Sequence, residues 1–126
     1  MGEWRMWRKD IKERTFGFAV EVVRFCKVLM EERREFILSK QLMRAAVSVG
    51  ANVREAQNAE STTDFIHKMS IAQKEIDETI YWLELFRATE NEMDYQIAPL
   101  YTEANELLKI IRSIIITTKQ KNKPKS

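Results

Sequence analysis

Residues that make turns are in short supply. The 126 residues hold three glycines (Gly2, Gly17, Gly50) and two prolines (Pro99, Pro124). Sheet proteins and loop-rich folds need many more, so the shortage predicts long helices. One cysteine, Cys26, excludes an internal disulfide and fits a reducing cytoplasm. No apolar run approaches the roughly 18 residues that a membrane helix needs, so no membrane span is expected. Met1 to Lys12 lacks the long apolar stretch of a signal peptide. Gly2 follows Met1, but Met6 stands where a myristoylation pattern needs Ser or Thr. The one histidine, His67, excludes a di-iron centre, which needs two Glu-x-x-His pairs on inward faces. There is no nucleophile triad, no glycine-rich phosphate loop and no Cys-x-x-Cys pair. An enzyme is therefore not expected, nor a metal or other cofactor.

Hydrophobic residues make up 44% of the chain and charged residues 32%, so the apolar side chains must be segregated onto stripes. At this length a single domain buries roughly two thirds of its unfolded surface. Periodicity predicts four helices, over about 10–32, 39–58, 61–90 and 97–118, followed by a basic disordered tail at 119–126. In the first, Phe16, Ala19, Val20 and Val23 form one apolar stripe, and Phe18, Val22, Phe25 and Leu29 form another on roughly the opposite side. A helix in a monomeric bundle buries only one face. The second stripe is read as a surface for a partner chain, with deep burial as the other explanation.

The second helix is expected to open at Ser39 as its N-cap. Its thin stripe is Leu42, Ala45, Ala46, Val49, Val53 and Ala56, with Gly50 read as a point of close packing. Ser61 to Asp64 resembles a capping box for the third helix. There Phe65, Met69, Ala72, Ile76, Thr79, Leu83 and Phe86 step by alternating fours and threes, a sustained heptad. Asn91 to Tyr95 reads as a polar turn and Pro99 as a first-turn residue of the fourth helix. Leu100, Ala104, Leu107, Ile111 and Ile114 supply that helix's stripe, and Ile110, Ile115 and Ile116 widen it. Short connections make neighbours antiparallel, so the fold class is all-α, an up-down-up-down four-helix bundle.

Several residues have both a chemical and a structural reading. Cys26 is a small buried hydrophobe rather than an activated thiol, since no histidine or helix N-terminus stands near it in sequence. His67, three after Asp64, reads as a surface residue rather than a metal ligand. Asp77 and Glu78 read as solubilising charge, whereas Glu75 lies close to the apolar stripe and can pair with a basic residue. Gln41, Arg44, Ser48, Asn52 and Glu55 share one face of the second helix, forming either a hydrogen-bonding seam or a polar binding groove. Trp4, Trp7 and Ile11 share a face of the N-terminal segment, opposite Arg5, Arg8, Lys9 and Lys12.

Charge is segregated along the chain. Residues 1–54 carry 12 basic and 7 acidic side chains, a balance of +5. Residues 55–106 carry 3 basic and 12 acidic, a balance of −9, and residues 107–126 carry 6 basic and none acidic. The basic groups suit phosphate contacts without sequence reading. Those singled out are Arg5, Arg8, Lys12, Arg24, Lys27, Lys40, Arg44, Arg54, Lys119, Lys121, Lys123 and Lys125. The alternative is that the acidic block faces them, within the bundle or across subunits.

The run Gln41-Leu42-Met43-Arg44-Ala45-Ala46-Val47-Ser48-Val49-Gly50-Ala51-Asn52-Val53-Arg54-Glu55-Ala56, with Ser61, Asp64-Phe65 and Ile71-Ala72, resembles the bacterial family of 23S rRNA intervening-sequence proteins. Glu75 falls where that family has a glutamate in its third helix. Ala56 departs from the pattern, which commonly has glycine there. The resemblance implies a four-helix bundle assembled as a ring-like homopentamer, with Gln41, Arg44, Ser48, Asn52, Glu55, Asp64 and Glu75 as the motif positions. It is also similar to the accessory variability determinant of diversity-generating retroelements, which implies RNA or DNA and a reverse transcriptase as partners. The expected function is a non-enzymatic homo-oligomer that binds RNA or DNA through backbone phosphates, or alternatively a protein–protein adaptor that touches no nucleic acid.

Overall fold

The seven heptad positions Phe65, Met69, Ala72, Ile76, Thr79, Leu83 and Phe86 are all buried, none more than 2% exposed. Around them the computed structural model describes the backbone of residues 3–122 and the side chains of residues 10–122. The helices are α1 (Glu3–Glu32), α2 (Ile37–Gln57), α3 (Thr62–Thr89) and α4 (Asp94–Lys121), with a 3₁₀ turn at Asn91–Met93. Each packs on its neighbours in sequence, α1 closes against α4, and the diagonal pairs meet through core side chains and not through close backbone approach, which is the square of a four-helix bundle. One continuous core runs through it, drawing on all four helices.

α1 turns its expected faces round. Phe18, Val22, Phe25 and Leu29, assigned above to a partner surface, are 0–5% exposed inside this chain's own core. Phe25 meets Phe86 of α3 edge to face, with ring centres 6.3 Å apart. The stripe expected to be core is the outer one: Phe16 is 58% exposed and Ala19, Val20 and Val23 are half-buried. Two apolar stripes show that a helix has a surplus, but their spacing does not say which one the neighbours cover.

The corner between α1 and α2 is built by Glu35 rather than Ser39. Arg34 takes a left-handed conformation (φ 55°), and the Glu35 N–H reaches back to the Leu29 carbonyl at 3.2 Å. The Glu35 carboxylate then accepts from the N–H groups of Leu38 (3.0 Å) and Ser39 (2.7 Å) and from the Ser39 hydroxyl (2.8 Å). Two orphan donors of the first turn of α2 are thereby satisfied. Ser39 lies inside the helix, buried, so the expected N-cap is corrected: a longer side chain four residues before it does that work. The neighbouring Cys26 thiol donates to the Ser39 carbonyl at 3.4 Å. Burial, helped by the charge of Glu35, pushes the thiol up to about 12, which leaves no thiolate for chemistry near neutral pH.

At the next corner Ser61 caps α3, its hydroxyl accepting from the Asp64 N–H at 3.0 Å. The third corner departs from expectation. α4 opens at Asp94, so Pro99 stands inside the helix and not in its first turn. Asp94 pairs with Arg87 at 2.7 Å and places a negative charge at the helix start, which holds the earlier beginning in place. Pro99 removes the N–H that would meet the carbonyl of Tyr95, a residue exposed enough for water to replace it. At the far end α4 continues through Lys121, so Lys119 and Lys121 sit on its last turn rather than on a free tail.

Candidate assembly and nucleic-acid interface

The polar stripe of α2 faces α3. Arg44 reaches Glu75 at 3.2 Å and also Glu78, and the Trp82 indole N–H donates to the same Glu78 carboxylate at 3.1 Å. Against a desolvation cost, Glu78 and Glu75 hold the guanidinium firmly charged. Glu55 pairs with Lys68 at 3.5 Å. Asn52 donates to the Ser48 carbonyl one turn earlier at 2.8 Å, and Gln41 is exposed. The structure thus brings Arg44, Glu55 and Glu75 into cross-helix pairs and keeps Ser48 and Asn52 in a local bond. Asp64 contributes its backbone at the α3 cap. Arg44 is already occupied by two carboxylates and is not a free phosphate contact.

The outer faces of α1 and α2 enclose a groove of about 710 Å³. Its floor is apolar, from Phe16, Ala19, Val20, Val23, Val47, Gly50 and Ala51, and its rim carries Lys12, Arg24, Lys27, Arg54 and Glu55. The Arg54 guanidinium lies 5.9 Å from the centre of the Phe16 ring, a cation–π contact at one edge. Gly50 is at the floor. A methyl there would meet the Thr15 carbonyl oxygen at 3.4 Å, ordinary van der Waals contact. Glycine costs a helix about 1 kcal/mol relative to alanine. All the atoms that this methyl would meet belong to the α1 backbone at Thr15 and Phe16, so Gly50 marks the close approach of α2 to α1 that its sequence position suggested.

The basic residues fall into three groups. Lys12, Arg24, Lys27 and Arg54 surround the groove, with Arg24 paired to Glu21 at 3.1 Å, and Lys40 is exposed at the start of α2. Arg14 is locked between Glu103 (2.7 Å) and Glu106 (3.1 Å), tying α1 to α4. A third group was not singled out from the sequence: Lys109 and Arg112 are exposed on the same α4 face as Lys119. Their spacings of three and seven residues bring them into line, which a count of charges per block does not reveal. None of these three, nor Lys121, has an ion-pair partner among the described residues. Positions Arg5, Arg8, Lys123 and Lys125 lie outside the described side chains.

Among the described residues, no group of three or more His, Cys, Asp or Glu side chains converges as metal ligands would. No helix among them is long and apolar enough to cross a membrane.

Two comparisons with known proteins bear on this arrangement. The family model described as 23S rRNA-intervening sequence protein matches residues 8–113. The crystal structure of a protein of unknown function from the S23 ribosomal protein family of Bacteroides thetaiotaomicron is 42% identical. It superposes with a TM-score of 0.84 over 87% of this chain and 98% of that one. Among curated proteins none matches. The match spans the capped α3 with its heptad, all of α2 with its seam to Glu75, and the groove. The chain belongs to the family of 23S rRNA-intervening sequence proteins.

Proposed function

We propose that this chain is a non-enzymatic, self-assembling four-helix bundle that binds RNA or DNA through backbone phosphates. The observation that carries the binding is the row Lys109, Arg112 and Lys119 on one α4 face, free of the carboxylates that occupy Arg14 and Arg44. At a rise of about 1.5 Å per residue the row is about 15 Å long, enough to follow several phosphates of one strand. A row of lysine and arginine side chains contacts phosphates without reading sequence, which supports recognition of the backbone. The apolar groove on α1 and α2 supports assembly, because a floor of that character gains by leaving water. The family resemblance suggests five copies in a ring and adds a reverse transcriptase as a second partner, checked by co-purification of the two.

A gel-shift titration with fragments of ribosomal RNA tests the binding. Affinity should fall steeply between about 50 and 200 mM salt, and replacing Lys109, Arg112 and Lys119 with alanine should flatten the slope by roughly 0.7 to 0.9 per lost contact. Removal of residues 119–126 should weaken binding in part. Binding indifferent to salt and to all these changes, or no binding, overturns the proposal. The second reading, an adaptor that engages only protein, is favoured by the same apolar groove. It predicts normal assembly with no shift of RNA or DNA at any salt concentration.

A further inference from the structure

We infer that the α1–α2 groove receives the outward face of α3 from a second copy of this chain, in a head-to-tail contact. The inference rests on the self-assembly proposed above and names its two surfaces. The groove offers an apolar floor between cationic edges, of which Lys27 and Arg54 are exposed. The outward face of α3 is its complement. Tyr81 is 58% exposed and stacks edge-on with half-buried Trp82 at 5.1 Å, with Leu85 half-buried one turn on. Asp77 and Glu84 flank Tyr81, both exposed and neither in an ion pair among the described residues. An aromatic ridge beside unpaired carboxylates thus matches a greasy trough whose rim cations Lys27 and Arg54 carry no ion pair among the described residues. The two surfaces lie on different helices of one chain, so the contact is heterologous, and repeated copies close into a ring or extend into a filament.

Sedimentation velocity on three charge-reversed proteins tests the pairing, with circular dichroism confirming the fold of each. Lys27→Glu with Arg54→Glu sets like charges face to face and should weaken assembly by at least about tenfold. Asp77→Lys with Glu84→Lys should do the same. Combining all four in one chain restores opposite signs at every contact and should recover the assembly. Wild-type protein that assembles while neither pair weakens it, or a fourfold variant no better than the pairs, overturns this pairing and leaves self-assembly standing. Wild-type protein that stays at one chain's mass overturns both.

Discussion

α1 and α3 are nearly the same length, 30 and 28 residues, and both carry apolar side chains at helical spacing. They use them differently. α3 gives its whole heptad to the interior and presents carboxylates elsewhere, two of which hold Arg44. α1 fills its inner face with Phe18, Val22, Phe25 and Leu29 and still carries Phe16, Val20 and Val23 outside. The interior accounts for the whole heptad of α3 and for only one of the two apolar stripes of α1. The remainder, beside the small outer residues of α2, is the surface on which the assembly proposal rests.

Substitutions on the two faces of α1 should separate these roles, and the inner face should give the largest effect. Leu29→Ala removes a fully buried side chain and should cost about 3 kcal/mol in urea unfolding, within the usual range for such cavities. A cost near zero would mean that the inner face is not the core. Glu35→Ala should come next, at about 1 to 2 kcal/mol, because two N–H groups of α2 lose their acceptor. Burial works against the Glu35 charge, but hydrogen bonds from Leu38 and Ser39 outweigh it and hold the carboxyl below its ordinary range. A carboxyl lowered on folding contributes stability that is fully present above its unfolded value of about 4.3. That contribution is lost as pH falls through the folded value. Wild-type protein should therefore lose stability over this acid window more steeply than Glu35→Gln, and parallel profiles would remove the cap from the account.

Gly50→Ala should raise stability by up to about 1 kcal/mol, since the methyl finds room and the helix gains propensity. Destabilisation would show that α1 and α2 are already at closest approach. The smallest effect on folding is expected at Phe16→Ser, within about 0.5 kcal/mol, as for an exposed side chain away from the core. A larger loss would place Phe16 among the packed residues and close the comparison between the faces.

The sequence spoke clearly where one period had one explanation. The α3 heptad, the α2 stripe from Leu42 to Ala56 and the α4 stripe from Leu100 to Ile114 are all buried as their spacing requires. Ser61 caps α3 because a hydroxyl at that position has one obvious donor three residues on. α1 was ambiguous in phase, since contact with α2 and α4 decides which stripe turns inward and neither contact is local. The opening of α2 was missed because a glutamate acting from outside the helix leaves no standard signature, whereas Ser39 looks like a cap wherever it stands. Pro99 misled by its preference for a first turn, which the Arg87–Asp94 pair overrode. The pairing of Arg44 with Glu75 was anticipated on the Glu75 side only, and the α4 row was hidden inside a block total.

Sedimentation equilibrium of the wild type beside a Phe16→Ser, Val20→Ser variant is the most direct check. A chain of 14.9 kDa whose outer α1 face is an association surface should run as a multiple of that mass. The variant should fall toward a single chain with an unchanged helical spectrum. Wild type and variant sharing one mass, whether single or multiple, would contradict the role given to that face.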